Sequence, residues 1–228
     1  WFLLESDFQS RQSALVGRIS HPISPADLLE REAYAVERSE WLRRASETKK
    51  PRRVHLDALA TVLFESRDTV LAHVQEIVHV ENVRSPTRIR ELVDEHGPLV
   101  PRGQAVTATL FIDGGATDAC DSVLGDLRRG LTVLWLRLGS RLVPAQLLEG
   151  SESMDPDGPV QYLRFEIGDT AVSMLQDPSK DAGLLLRCRG HAVFAAMPWA
   201  LRRLLADELS VRGSHRPLAF DERRPSAI

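Results

Sequence analysis

Between Phe64 and Val83 the stretch FESRDTVLAHVQEIVHVENV sets Glu65, Arg67, His73, Gln75, Glu76, His79 and Glu81 among apolar residues. Carboxylates and imidazoles at these spacings suit general acid–base chemistry or metal ligation, and arginines suit an anion. Glu76-x-x-His79 has the carboxylate–imidazole spacing of helical-bundle di-iron centres. Such centres need the motif twice, with further carboxylates from facing helices. No second copy falls on a convincing helix, so the expectation is no metal and no cofactor. Cys120 and Cys188 make neither a CxxC nor a zinc spacing and read as separate, reduced, buried thiols.

The element that positions these groups is a helix from Arg67 to Val83. On a wheel at about 100° per residue, Val70, Val74, Ile77 and Val78 form one stripe. Glu81 falls inside that stripe and Arg67 near its edge, while Gln75, Glu76 and His79 fall on the opposite, outward side. A buried Glu81 would need a partner, because an unpaired carboxylate costs several kcal/mol and pairs or takes up a proton instead. Arg164, between Leu163 and Phe165, is one candidate, and Arg52 and Arg53 are others. The expectation is a polar cluster of Glu65, Arg67 and Glu81 with one or more of Arg52, Arg53 and Arg164, and Gln75 on the outward side is a further candidate ligand-binding residue. A structural ion pair or plain surface charge is the competing reading of the same residues.

The rest of the chain supplies strands in clusters joined by short turns. Ser24-Pro25-Ala26-Asp27 is a helix start, with Ser as cap and Pro at the first helical position, and the helix should run to about Glu47. Val54–Leu56 and Ala60–Glu65 read as strands, and Thr87–Glu95 as a short helix stopped by Gly97-Pro98. Val106–Ile112 is a Thr-rich strand and Thr117–Arg129 a helix. Val133–Leu138 and Leu142–Leu147 form a hairpin around Gly139-Ser140, followed by the acidic loop GSESMDPDGP. Val160–Ile167 is a strand, Asp169–Leu175 a helix, Leu184–Cys188 and Ala192–Ala196 a hairpin, and Trp199–Leu209 the closing helix. This order predicts an α+β fold with a mainly antiparallel sheet and helices packed on it. Residues 23–210 are expected to form a single domain, 1–22 an N-terminal extension and 211–228 a flexible tail.

With 29 basic against 32 acidic residues and a net charge of -3, the composition offers no electrostatic reason for nucleic acid or an anionic membrane. No apolar run approaches the roughly 18 residues that span a bilayer. The opening WFLLES is too short and too soon charged to read as a signal peptide, so the expectation is a cytoplasmic protein. The chain has no GxGxxG, P-loop, GxSxG or HExxH.

Four pieces together resemble the bacterial domain-of-unknown-function family 3501. They are KKPRRV (Lys49 to Val54), TVLFESRDTVLAHVQEIVHVE (Thr61 to Glu81), VTATLFID (Val106 to Asp113) and VQYLRFEI (Val160 to Ile167). The family pattern falls on Phe64-Glu65, Arg67, Thr69, Gln75-Glu76 and Glu81, and the chain departs from it at His79, where Arg is usual. The resemblance implies a bacterial protein in a redox or oxidative-stress setting, near rubrerythrin-like and iron–sulfur proteins, and implies no established activity. The expected function is an accessory or binding protein whose Glu/Arg cluster holds a small anionic ligand or a redox protein partner. The alternative is an enzyme with Glu76 or Glu81 as general base and arginines binding an anionic substrate.

Overall fold

The computed structural model describes residues 21–112, 131–148, 159–188 and 191–214, with a few positions between 123 and 129. Cys120, most of the helix expected over 117–129, the acidic loop up to residue 158, the extension up to residue 20 and the tail from 215 lie outside the described residues. So do the turn at 189–190 and the side chains of Cys188 and His191.

The predicted strands form in antiparallel pairs but divide between two sheets, and the strand expected over Leu142–Leu147 breaks at Ala145 into two pieces, one in each sheet. The first has the order β1 (Arg53–Leu56), β2 (Ala60–Phe64), β3 (Ala105–Ile112), β7 (Val160–Glu166), β6 (Gln146–Leu147). The second has the order β5 (Arg141–Pro144), β4 (Leu134–Leu138), β8 (Ala182–Cys188), β9 (His191–Ala196). Gly139 turns β4 into β5 with φ +59, a conformation that costs glycine little.

Period-2 alternation decides what each face meets. On the first sheet Val62, Phe64, Ala108, Leu110, Leu163 and Phe165 point into one continuous core shared with Leu134, Leu136, Leu184 and Leu186 of the second. Leu201, Leu205 and Leu209 of α5 (Trp199–Ser214) join it, beside the short α4 (Ala171–Gln176). The other face of the first sheet carries Leu63, Thr107, Thr109, Phe111 and Tyr162 and is covered by α2 (Arg67–Val80) and α3 (Pro86–His96). Under these helices Val70, Val74, Leu92, Val93, Leu99 and Val100 make a second apolar cluster.

The helix expected from Ser24 starts later. Ser24 and Asp27 do form a capping box, with the Ser24 N–H donating to Asp27 Oδ2 at 2.7 Å. It supports a single 3-10 turn, after which Leu28 is extended and α1 runs over Arg31–Lys49. Gln75 of α2 explains the break. Its amide oxygen accepts from Leu29 N–H at 2.7 Å and its amide nitrogen donates to Leu29 C=O at 3.3 Å. The backbone at Leu29 thus finds its partners outside a helix. α1 is held mainly by Tyr34, its one buried residue, while Val36 is 84% exposed.

Candidate functional site

The junction of β2 and α2 builds the site. Ser66 caps α2: its hydroxyl accepts from Thr69 N–H at 3.3 Å, and its own N–H donates to the Thr69 hydroxyl at 2.8 Å. The reciprocal pair ends the strand and starts the helix within two residues. It leaves Glu65 on the helix-covered face, with its N–H on Thr107 C=O at 2.9 Å. The Glu65 side chain is 7% exposed. One carboxylate oxygen accepts from the Thr109 hydroxyl at 2.6 Å and the other from the Thr69 hydroxyl. No guanidinium or ammonium forms an ion pair with it among the described residues. Burial pushes its pKa up, opposed by the two threonine hydroxyls and by the fields of Lys49 and Arg52.

Glu65 opens onto a cavity of about 380 Å³ between α2 and the sheet. Leu63, Val70, Leu99, Phe111 and Val160 supply apolar walls, and Lys49, His73 and Tyr162 supply polar ones. His73 stands one turn beyond Thr69, on the same helix face. Desolvation, with His96 and Lys49 adding to it, brings its pKa down to about 4, so the imidazole is neutral at neutral pH. The His96 ring lies 5.0 Å away, edge to face, with Nδ1 2.9 Å from Leu92 C=O, the place of an N–H donor. Burial, with the Glu65 field, raises the Tyr162 phenol. The side chains of Lys49, His73 and Tyr162 have no hydrogen-bond or ion-pair partner among the described residues. A cavity with apolar walls and a few convergent polar groups is the usual form of a small-molecule site.

The expected single Glu/Arg cluster is dispersed. Glu81 caps the C-terminus of α2 and is exposed, with no arginine on it among the described residues. The stripe was read correctly, but its last turn runs past the cover that buries Val70 and Val74; Val80 beside Glu81 is already 66% exposed. Arg164 pairs instead with Glu166 of its own strand at 2.5 Å, and Arg53 is exposed. Arg67 donates to Asp27 at 2.5 Å and to His21 C=O at 3.2 Å. Arg52 is buried against the Glu208 carboxylate of α5, and its other terminal nitrogen is 3.5 Å from the Glu65 carbonyl.

Gln75, Glu76 and His79 do lie opposite the Val stripe, but they face α1 rather than water. Tyr34 Oη donates to Glu76 at 2.6 Å, Arg38 donates to both its oxygens, and the His79 ring packs 5.3 Å from the Tyr34 ring. The Arg38 guanidinium holds the Glu76 carboxyl below the ordinary range. Glu76 is therefore committed to the helix–helix seam. Among the described residues no three His, Cys, Asp or Glu converge as metal ligands would.

Sequence reasoning missed Lys49, Thr69, His73, Thr109 and Tyr162 as a group. The available signal was the alternation of β3: Thr107 and Thr109 sit on one face, and Tyr162 on the matching face of its partner strand. Alternation of this kind reads as a solvent face until a helix is known to cover it.

The sequence profile of a family described as "Protein of unknown function (DUF3501)" matches residues 22–209. The chain belongs to the DUF3501 family. A crystal structure of a protein of unknown function from Burkholderia pseudomallei is similar to this DUF3501 chain. The TM-score is 0.72 at 26% identity, over 83% of this chain and 100% of the other. Comparison with curated proteins finds no match. No described helix of this DUF3501 protein is long and apolar enough to cross a membrane.

Proposed function

We propose that this protein is a receptor for a small organic acid, held in the cavity between α2 and the first sheet. The observation that carries the reading is the set of groups facing that 380 Å³ space. Glu65 is already satisfied by two threonine hydroxyls, whereas the side chains of Lys49, His73 and Tyr162 have no hydrogen-bond or ion-pair partner among the described residues. The Lys49 ammonium is the cation to meet an acidic end, Tyr162 and His73 can donate or accept beside it, and the apolar walls take the body of the molecule. The bacterial, cytoplasmic and redox-linked setting implied by the family resemblance is carried as context, with the protein an accessory in such a pathway.

An enzymatic reading is favoured by one specific feature. Glu65 and His73 face the same cavity, and desolvation pushes both toward their neutral forms, which leaves the imidazole free to accept a proton beside a carboxyl group. The general base of that reading is then His73, in place of Glu76 or Glu81.

A thermal-shift and calorimetric screen of small organic acids tests the proposal. At least one acid that stabilises the native protein should bind at least tenfold more weakly to Lys49→Ala and to Tyr162→Phe. Equal binding to all three proteins, or no stabilising acid at all, overturns it. If a bound compound is turned over, and turnover but not binding is lost in His73→Gln, the enzymatic reading takes its place.

A further inference from the structure

Beyond the β2–α2 junction, on the side away from Glu65, lies a second cavity of about 310 Å³. Arg52, Ser66, Arg67 and Arg212 line it, with Leu204 and Val211 as apolar wall. Its charges do not balance in the buried layer. Arg52 and Arg212 are 4% and 7% exposed, and of the cavity's lining carboxylates only Glu208, at 9%, is buried with them, Glu65 facing the other cavity. The Glu208 carboxylate belongs to Arg52. Arg212 spends Nε on the Glu208 backbone carbonyl at 3.2 Å and Nη1 on Ala105 C=O at 2.9 Å, both neutral acceptors. Its Nη2 is buried with no hydrogen-bond partner among the described residues.

A guanidinium in that state is costly, because its last donor is unpaired and its charge is offset only in part by the carboxylate that Arg52 holds. Desolvation lowers the Arg212 pKa, the Glu208 field opposes this, and Arg52 and Arg164 add to the lowering. The second source of positive potential is independent of Arg212. The first turn of the 14-residue α2 reaches the same cavity through Ser66, Arg67 and Asp68. The N–H groups of Arg67 and Asp68 have no acceptor within the helix, and the helix dipole adds to them. Arg67 contributes little net charge, since Asp27 holds it. Asp68 and Asp207 also line the cavity, but both are exposed and hydrated, so they weigh against a highly charged occupant more than against a single negative charge.

We propose that this cavity, bounded by Arg52, Arg212 and the start of α2, binds a small, singly charged oxyanion group. The group lies between the helix N-terminus and Arg212 and supplies the missing counter-charge. A planar or tetrahedral oxyanion suits both donors, since a guanidinium fork and successive backbone N–H groups each engage paired oxygens. The oxyanion is either a free inorganic ion or the acid group of a small organic molecule whose short apolar part rests on Leu204 and Val211.

The test is thermal denaturation of the whole protein at constant ionic strength, with chloride replaced by nitrate, bicarbonate, acetate or lactate, all singly charged at neutral pH. At least one oxyanion should raise Tm saturably where chloride does not. Response to the inorganic ions assigns a free ion, and response to the organic acids alone assigns the second source. The response should be lost in Arg212→Met and kept in Lys49→Ala, which separates this site from the cavity at Glu65. If Arg212→Met does not fold, Val211→Glu takes its place. A carboxylate built into the wall should raise Tm in oxyanion-free buffer and abolish the oxyanion response. No oxyanion response in the native protein, or an undiminished response in the folded variant, overturns the proposal.

Discussion

α2 carries polar groups on two faces, and the two faces do different things. Toward α1, Gln75 and Glu76 are saturated: Leu29 takes both ends of one amide, and Tyr34 and Arg38 take the other carboxylate. Toward the sheet, Thr69 serves Glu65, but His73 meets an open cavity with Lys49 and Tyr162 around it. Residue types are much the same on both sides. The difference is completion at Gln75 and Glu76, although His79 Nδ1 beside them is buried with no hydrogen-bond partner among the described residues. Polar groups that close on one another fasten two elements together, whereas polar groups that converge on a cavity without partners are arranged for something that is not yet there. Substitutions on the first face should therefore cost stability, and substitutions on the second should cost binding.

The largest expected effect is on the α1 side. Tyr34 is fully buried and anchors an otherwise exposed helix. Tyr34→Ala should lower stability by about 3–5 kcal/mol in urea titration, with α1 released first in hydrogen exchange. A loss under about 1 kcal/mol would mean that α1 is not held by this seam.

The next effect belongs to the cavity side and depends on pH. His73 has a folded pKa of about 4 against 6.5 in the unfolded chain. The unfolded chain therefore takes up the proton first as pH falls. The associated stability is complete above pH 6.5 and is lost progressively toward pH 4. The full difference is on the order of 3 kcal/mol at 1.36 kcal/mol per unit. His73→Leu should flatten this part of the stability–pH curve, leaving the smaller contribution of His96, whose shift has the same sign. An unchanged curve in the variant would place the His73 ring in water.

Glu65 shifts the other way. Its folded pKa lies above the unfolded value near 4.5, so the folded protein holds the proton longer and stability falls as pH rises from that point. Glu65→Gln removes the ionisation while keeping the shape. Measured by denaturation from pH 4.5 upward, the variant should gain on the native protein as pH increases. A variant that instead loses ground with rising pH would show that the threonine hydroxyls stabilise the carboxylate more than burial penalises it.

The smallest effect is expected at Glu81. Exposed at the end of α2, it should tolerate Glu81→Gln within about 0.5 kcal/mol and with no change in ligand binding. A larger loss would restore it to the site.

What the sequence determined by itself was local. The Ser66 start of α2, the alternation of β2, β3 and β7, the Gly139 turn and the stop at His96-Gly97-Pro98 follow from short-range sterics, capping and hydrogen bonding within a few residues. Those contacts are encoded wherever the residues stand, and the α+β class follows from their order. The site is not of that kind. Thr109 reaches Glu65 across 44 residues, because the β2–β3 register sets Leu63 opposite Thr109. Arg52 reaches Glu208 across 156 residues, because α5 returns over the β2–α2 junction. A helical wheel assigns an angle about the axis, and that angle was right for Glu76 and for Glu81. It does not say what covers the far side or where the cover ends. α1 covered the first residue and nothing covered the second, so the tertiary packing alone decided that Glu76 would be a fastener, Glu81 a solvated charge and Glu65 the carboxylate of the site.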